Sequence, residues 1–323
     1  MPPEIRHPGI AILGFPRSGT TLLRRLLDGH SQIDSPGESY LLSACARFIQ
    51  GDRVVDGVEA GVLGGLELLG TSREEMFARL RRLVFEIRDE RARRVGKTRW
   101  VEKTAVDAFH LDAIQRIFGN ELTYVCVVRH GLDVCVSTLE WCQRLESFPA
   151  DLHRYIARYP QPLVAVAHAW VDVMQSFERL LEPGEKRIYL LQYERLVGSP
   201  GDVLRELLAH LGETWEEGLL DPAQVARPHD GFGDWKAYGR QSVDNVSVGR
   251  WRSLADGTVR QLAPIVNPTL VRWGYDPIPS EGEFSQAVAL RRYELSLLAQ
   301  RAKLGARGPA DAASTADPPT SSR

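Results

Sequence analysis

Cysteine is scarce and follows no pattern. Only four occur in 323 residues, Cys45, Cys126, Cys135 and Cys142, with neither the CxxC spacing of a structural zinc site nor the density of a disulfide-stapled secreted scaffold. Both are argued against, and reduced, mostly buried thiols are expected. Long apolar runs are missing as well. The opening MPPEIRHPGI holds no apolar signal segment, and nothing later approaches the ~18 uninterrupted apolar residues of a membrane span. A soluble, cytoplasmic protein without membrane partners is the expectation. Nor is one sign of charge in excess: 40 Lys and Arg face 42 Asp and Glu, a formal charge of -2. That removes the general basic field on which nonspecific nucleic-acid binders depend, so no nucleic-acid partner is expected and any anion site must be local.

What is present is an ordinary globular mixture, 43% apolar and 25% charged, enough for a sizeable core. The chain length suits one large domain, read here as residues 1–306. After Ala306 the composition collapses, ending in GPADAASTADPPTSSR; a stretch without core-forming residues reads as a disordered tail, 307–323. Gly9 to Gly14 is a short apolar run closed by glycine, and leucines return at helical spacing from Thr20 to Leu27, which predicts a strand, a loop and a helix. The same grammar recurs at Leu122 to Val128 and at Arg187 to Tyr193. Trp100 to Glu102 predicts a further strand before a helix over Val106 to Phe118, and longer helices are predicted for Arg73 to Arg94, Leu163 to Leu181 and about Asp202 to His210. Such alternation implies an α/β fold, a parallel sheet flanked by helices. Asp221 to Arg252 has no period but several aromatics, and a loop of that length with Phe232, Trp235, Tyr238 and Trp251 reads as ordered and functional.

The segment Gly14 to Thr21, GFPRSGTT, lies between predicted strand and predicted helix. A glycine turn there exposes successive backbone N–H groups and the helix N-terminus adds partial positive charge, so a phosphate is the natural occupant. Ser18, Thr20 and Thr21 add hydroxyls and Arg17 a permanent cation around Gly19. The glycine spacing satisfies the first part of a nucleoside-triphosphate P-loop, but Thr20 stands where that motif has lysine, and no strand ends in an obvious magnesium-holding Asp. A second element, VVRHGLDVCVS, sets Arg129 at a strand end and Ser137 eight positions on, about two helical turns away. Two anion sites on neighbouring strand ends suit a nucleotide with phosphates on both sides of its ribose. Taken alone, the Arg129 and Ser137 pair is weak, a solvated arginine being the plain alternative.

At these residues the chain resembles the sulfotransferases that use 3'-phosphoadenosine 5'-phosphosulfate (PAPS). FPRSGTTLLRRLLDGHSQIDSPGES is similar to the opening of tyrosylprotein sulfotransferases and of the sulfotransferase domains of bacterial polyketide assembly lines. VEKT around Lys103, LQYERLV around Tyr193, GRWRSL around Trp251 and the late WGYDP recur at comparable places, so the likeness spans roughly Ile10 to Pro277. It implies a P-loop-like sulfotransferase fold, PAPS as sulfate donor and no metal. It further implies that Arg17, Ser18, Gly19, Thr20 and Thr21 hold the 5'-phosphosulfate, Arg129 and Ser137 the 3'-phosphate, Tyr193 the nucleoside region, and Arg250 with Trp251 a closing element. Glu38 falls where these groups have their acceptor-activating glutamate, and Lys103 at the lysine that approaches the transferring group beside Arg17.

The acceptor implied is a hydroxyl on a small-molecule or carrier-bound metabolite. A solvated loop acid and a surface salt bridge are the plain alternatives for Glu38 and Lys103. Gly233 to Lys236 is a rival for the Gly249 to Trp251 element, and Arg240 and Arg252 are further candidates for closing over the nucleotide. His30, His110, His130, His168 and His210 read as structural, with His229 held open. A P-loop kinase or a silent nucleotide-binding protein remains the alternative to a transferase.

Overall fold

A computed structural model of the chain describes residues 8–51, 53–55, 58–181, 187–221 and 243–279, together with 295, 297 and 298. Five strands make one parallel sheet in the order β2-β5-β1-β6-β7: β1 (Gly9–Leu13), β2 (Ile33–Asp34), β5 (Arg99–Glu102), β6 (Leu122–Val128) and β7 (Ile188–Gln192). A separate antiparallel pair joins β3 (Arg53–Val55) to β4 (Val58–Ala60). β1 lies between β5 and β6, with Ile10 opposite Val101 on one side and Leu13 opposite Cys126 on the other. The chain leaves β1 toward the β2 edge and later returns on the β6 side, so β1 sits at the point where strand order reverses. In open parallel sheets, ligands bind beyond the carboxyl ends of the strands at that point.

The two sheet faces are covered unequally. Ala11, Leu13, Tyr124, Cys126 and Val128 point into the larger apolar cluster. The helices on that side are α2 (Leu41–Phe48), α4 (Arg73–Arg94), α5 (Leu111–Phe118), α6 (Gly131–Leu145), α7 (Ala150–Arg158), α8 (Pro162–Leu180) and α11 (Asp256–Arg272). Ile10, Ile12, Val125, Val127 and Leu191 point the other way, against α1 (Thr20–Asp28), α9 (Tyr193–Gly198) and α10 (Pro200–Leu211). Strands enclosed on both faces must be apolar at consecutive positions, which is why GIAIL and LTYVCVV are legible as strands. All four cysteines are buried and free.

Arg73–Arg94 forms as expected, its start fixed by a capping box in which Ser72 and Glu75 satisfy each other's backbone N–H. The helix expected from Val106 instead begins as a 3-10 turn, Asp107–His110, before α5. The strand expected to reach Tyr193 stops at Gln192, and Tyr193 opens α9. α2, α7, the helix α3 (Val62–Leu68) and the strands β2, β3 and β4 had no counterpart in the sequence reading, since two- and three-residue strands carry no readable period. Of the long loop, residues 222–242 lie outside the described part, and so do Arg240, His229, the rival Gly233 to Lys236 element and the tail after Ala306. Among the described residues no helix is long and apolar enough to cross a membrane.

Candidate active site

The loop from Gly14 to Gly19 leaves the carboxyl end of β1 and turns tightly, Ser18 N donating to the Phe15 carbonyl at 3.0 Å. Two residues take left-handed backbone, Arg17 at φ 76° and Gly19 at φ 95°. Gly19 also lies against Tyr193, where a Cβ would stand 2.3 Å from the ring, so glycine is required on both counts. α1 begins at Thr20 without a side-chain cap, and the first-turn amides that no helix can pair internally face the loop, an arrangement that holds anions. The Ser18 hydroxyl is wholly buried and has no partner among the described residues. A buried hydroxyl so placed fits a phosphoryl or sulfuryl oxygen.

On the β6 side, Arg129, Ser137 and Arg17 converge. Arg17 Nε donates to Ser137 Oγ at 3.2 Å, and Arg129 Nη1 donates to the Arg17 carbonyl at 2.7 Å. Arg129 is buried, so burial pulls its guanidinium below the usual arginine range, while Tyr193, Asp133 and Glu194 pull it back. Its Nη2 donates to the Ser247 carbonyl at 2.5 Å, its Nε has no partner among the described residues, and the guanidinium lies 4.6 Å from the Tyr193 ring centroid. Tyr193 therefore underlies both Gly19 and Arg129.

Lys103 arrives from the other neighbour of β1. Just past the end of β5, it is 2% exposed, and its Nζ donates to Thr21 Oγ1 at 2.9 Å and to Glu38 Oε1 at 2.5 Å. The adjacent strand end thus brings a lysine in space to the first turn of α1, although the loop itself has none. Neither acid nor lysine is a surface group, since the paired side chains are 10% and 1% exposed. Glu38, Thr20, Thr21 and Arg17 form the polar side of a cavity of ≈ 290 Å³, and Tyr40, Val106, Trp141 and Leu145 an apolar side.

The Glu38 segment is docked on the stretch after β5 by side chains that sequence reasoning missed. Ser39 Oγ donates to Glu102 Oε1 at 2.5 Å, Tyr40 N to Thr104 Oγ1 at 3.0 Å and Ser43 N to Asp107 Oδ1 at 3.1 Å. Burial pushes the Glu102 carboxyl up, with Arg88 and Ser39 opposing, and pushes Asp107 well above the usual carboxylate range, with Glu102 adding to the effect. The only hint available in the sequence was the density of polar residues in EKTAVD.

The expected closing element lies at the other end of the site. Gly249 N and Trp251 N donate to the two carboxylate oxygens of Asp133 at 2.7 and 2.8 Å. Trp251 stacks on His130 with centroids 5.3 Å apart. Arg250 is turned to Glu140 on α6 in a two-point ion pair and does not line the cavity. The element therefore adjoins Arg129 through Ser247, while the Arg250 side chain points elsewhere. Asp133, an acid in the first turn of α6 that the sequence reading did not single out, anchors amides more than a hundred residues away.

The model of the Sulfotransferase family matches residues 8–217. The nodulation protein NoeE of Sinorhizobium fredii is 26% identical over 285 residues, covering 82% of this chain but only 65% of its own length, just under two thirds. Protein-tyrosine sulfotransferase 2 of Gallus gallus is 25% identical over 286 residues, 84% of this chain and 70% of that protein. Among solved structures, the sulfotransferase domain of the Synechococcus PCC 7002 olefin synthase superposes with a TM-score of 0.59 at 23% identity, covering 86% of this chain and 98% of that domain. With a family match across the sheet and the phosphate loop, this chain belongs to the sulfotransferase family.

Proposed function

We propose that the protein transfers the sulfuryl group of PAPS to a hydroxyl of a small-molecule or carrier-bound metabolite, with Glu38 as the general base. The observation that carries this reading is the Glu38, Lys103 and Thr21 contact, at 2.5 and 2.9 Å, beside the phosphate loop and in one cavity with it. The donor supplies the SO3 group, whose bond to a phosphate oxygen breaks as a bond to the acceptor oxygen forms. Residues 17–21 would hold the 5' end, the buried Ser18 hydroxyl and the uncapped start of α1 supporting that assignment. Arg129 and Ser137 would hold the 3'-phosphate. Glu38 takes the acceptor hydroxyl proton, while Lys103 and Arg17 stabilise charge on the oxygens around sulfur, preorganised electrostatics of the kind that often dominates barrier lowering. Tyr193 supports the loop and Arg129 from below, Trp251 stacks on His130 beside them, and the apolar side of the cavity accommodates the body of the acceptor.

The test is nucleotide discrimination. Adenosine 3',5'-bisphosphate should stabilise the fold more than ADP or ATP with magnesium, because one charge-assisted contact to the 3'-phosphate is worth about 1.5 to 3 kcal/mol, roughly ten- to a hundredfold in affinity. At ligand about 100 times its Kd, linkage adds about 2.7 kcal/mol, a melting shift of several degrees. Arg129→Ala should erase most of that preference. Glu38→Gln should keep the nucleotide shift and lower turnover about 10²-fold or more. A larger, chelator-sensitive shift with ATP and magnesium would replace this reading with a kinase.

A further inference from the structure

Glu38 carries the proposed base, yet the hydrogen bonds that hold its backbone belong to its neighbours. Residues 38–43 lie along residues 102–107: Glu38 meets Lys103, Ser39 meets Glu102, Tyr40 N meets Thr104 and Ser43 N meets Asp107. Tyr40, two residues past the base, is in left-handed backbone at φ 62°, a conformation that a tyrosine keeps only where its surroundings over-determine it. Ser39 is the hinge of that arrangement. Its hydroxyl donates to Glu102 Oε1 at 2.5 Å and accepts from Leu41 N, the first residue of α2, at 3.2 Å, so it ties the helix start and the base-bearing loop to one buried carboxyl.

Glu102 is in turn held from behind. It is the last residue of β5 and 2% exposed, and its Oε2 lies 3.3 Å from Arg88 Nε of α4. Arg88, itself 2% exposed, donates through Nη2 to the Val101 carbonyl at 2.7 Å and has Asp34 of β2 3.6 Å away. The chain of contacts therefore runs from the rigid sheet edge, through Arg88 and Glu102, to Ser39 and the residue beside it. Asp34, Arg88, Glu102 and Ser39 are not among the residues lining the cavity.

We propose that Glu102, acting through the Ser39 hydroxyl, is a positioning residue that fixes Glu38 opposite Lys103 and Thr21. This rests on the reading of Glu38 as the base. Displacing a catalytic group by about 1 Å can cost about 10²-fold in rate, whereas binding made elsewhere is untouched. The separation expected is therefore between kcat and donor binding.

The decisive variant is Ser39→Ala, which removes the link while leaving the buried Glu102 and Arg88 pair intact. It should lower kcat about tenfold or more and leave KM for PAPS, and the melting shift given by adenosine 3',5'-bisphosphate, within about twofold and one degree of the parent. Ser39→Thr, which keeps the hydroxyl at an exposed position, should restore most of the rate. Glu102→Gln, which keeps an oxygen to accept from Ser39, should lose less than Ser39→Ala, and the double variant should be no slower than Ser39→Ala alone. Hydrogen exchange of the 38–43 amides should speed up in Ser39→Ala. Glu38→Gln, assayed beside these variants, separates the two ideas. If it loses turnover while Ser39→Ala has the parental kcat, the positioning role is overturned and the base reading stands. If Glu38→Gln turns over normally, both are overturned together.

Discussion

Asp107 shows how a single buried carboxyl reports on this site. It is wholly buried, one oxygen accepts from Ser43 N, the other has no partner among the described residues, and both burial and the neighbouring Glu102 push its pKa well up. Above the ordinary carboxylate pKa the unfolded chain has released this proton while the native state retains it, so the native state binds more protons and stability falls as pH rises. Asp107→Asn cannot titrate. The wild-type melting temperature should therefore decline relative to that of Asp107→Asn between pH 4 and pH 7, as read by thermal scans of both proteins across that range; parallel curves would mean that Asp107 is ionised in the native state. At this scale the sequence was legible where chemistry sits in a motif. Arg17 to Thr21 and Arg129 stood out because glycine spacing and strand ends are local features. Glu102, Thr104 and Asp107 did not, because their partners lie more than sixty residues away and are chosen by how β5 lies against the Glu38 segment.

The N-terminal turn of α6 is the element on which the far end of the site is built. His130 N donates to Glu194 Oε1 at 3.0 Å, Glu194 Oε2 accepts from Tyr275 at 2.8 Å, the His130 ring stacks on Trp251 and meets the Tyr275 ring nearly at right angles, and Asp133 holds the 249–251 turn. Burial lowers the His130 pKa to about 4, with Asp133 opposing and Arg252 and Arg129 reinforcing. Between the ordinary value near 6.5 and about 4 the unfolded chain takes up a proton that the native state refuses, so stability is present above pH 6.5 and lost as pH falls through that window. His130→Phe retains a ring on Trp251 and the backbone bond to Glu194 but cannot titrate. Its melting temperature should fall less than that of the parent from pH 6.5 to pH 4.5, and an equal fall in both would place a protonated imidazole in the native stack. Strands buried on both sides, such as β1 and β6, were readable from their apolar runs, and α8 from its alternation of buried apolar and exposed polar positions. The turn at 247–251 was readable through its resemblance to a known element but not from any period of its own, since it is ordered by Asp133 and Glu140 of α6.

At the scale of the whole molecule, the two apolar clusters on opposite faces of one sheet are what a single domain requires, and their composition bounds how much chain the fold needs. The larger cluster draws on α8 and α11 and extends to Ile278, whose backbone is clasped by Asn267, Nδ2 donating to the Ile278 carbonyl at 3.0 Å and Oδ1 accepting from Ile278 N at 2.9 Å. The last buried member of the smaller cluster is Leu219, with Leu220 and Val243 packed against it. The site is assembled from the ends of β1, β5 and β6 and from α2, α6 and the 247–251 turn, all of which precede Ile278. The sequence after Ala306 contains no Leu, Ile, Val, Phe, Trp or Tyr, so it has nothing to contribute to either cluster. A protein ending at Arg307 should therefore melt within about a degree of the full chain, give the same shift with adenosine 3',5'-bisphosphate and transfer sulfate at the same rate. The three readouts divide the possible failures. A fall in melting temperature alone would mean that the tail contributes to the fold, a lost nucleotide shift that it contacts the donor, and a lower rate with both unchanged that it takes part in holding the acceptor.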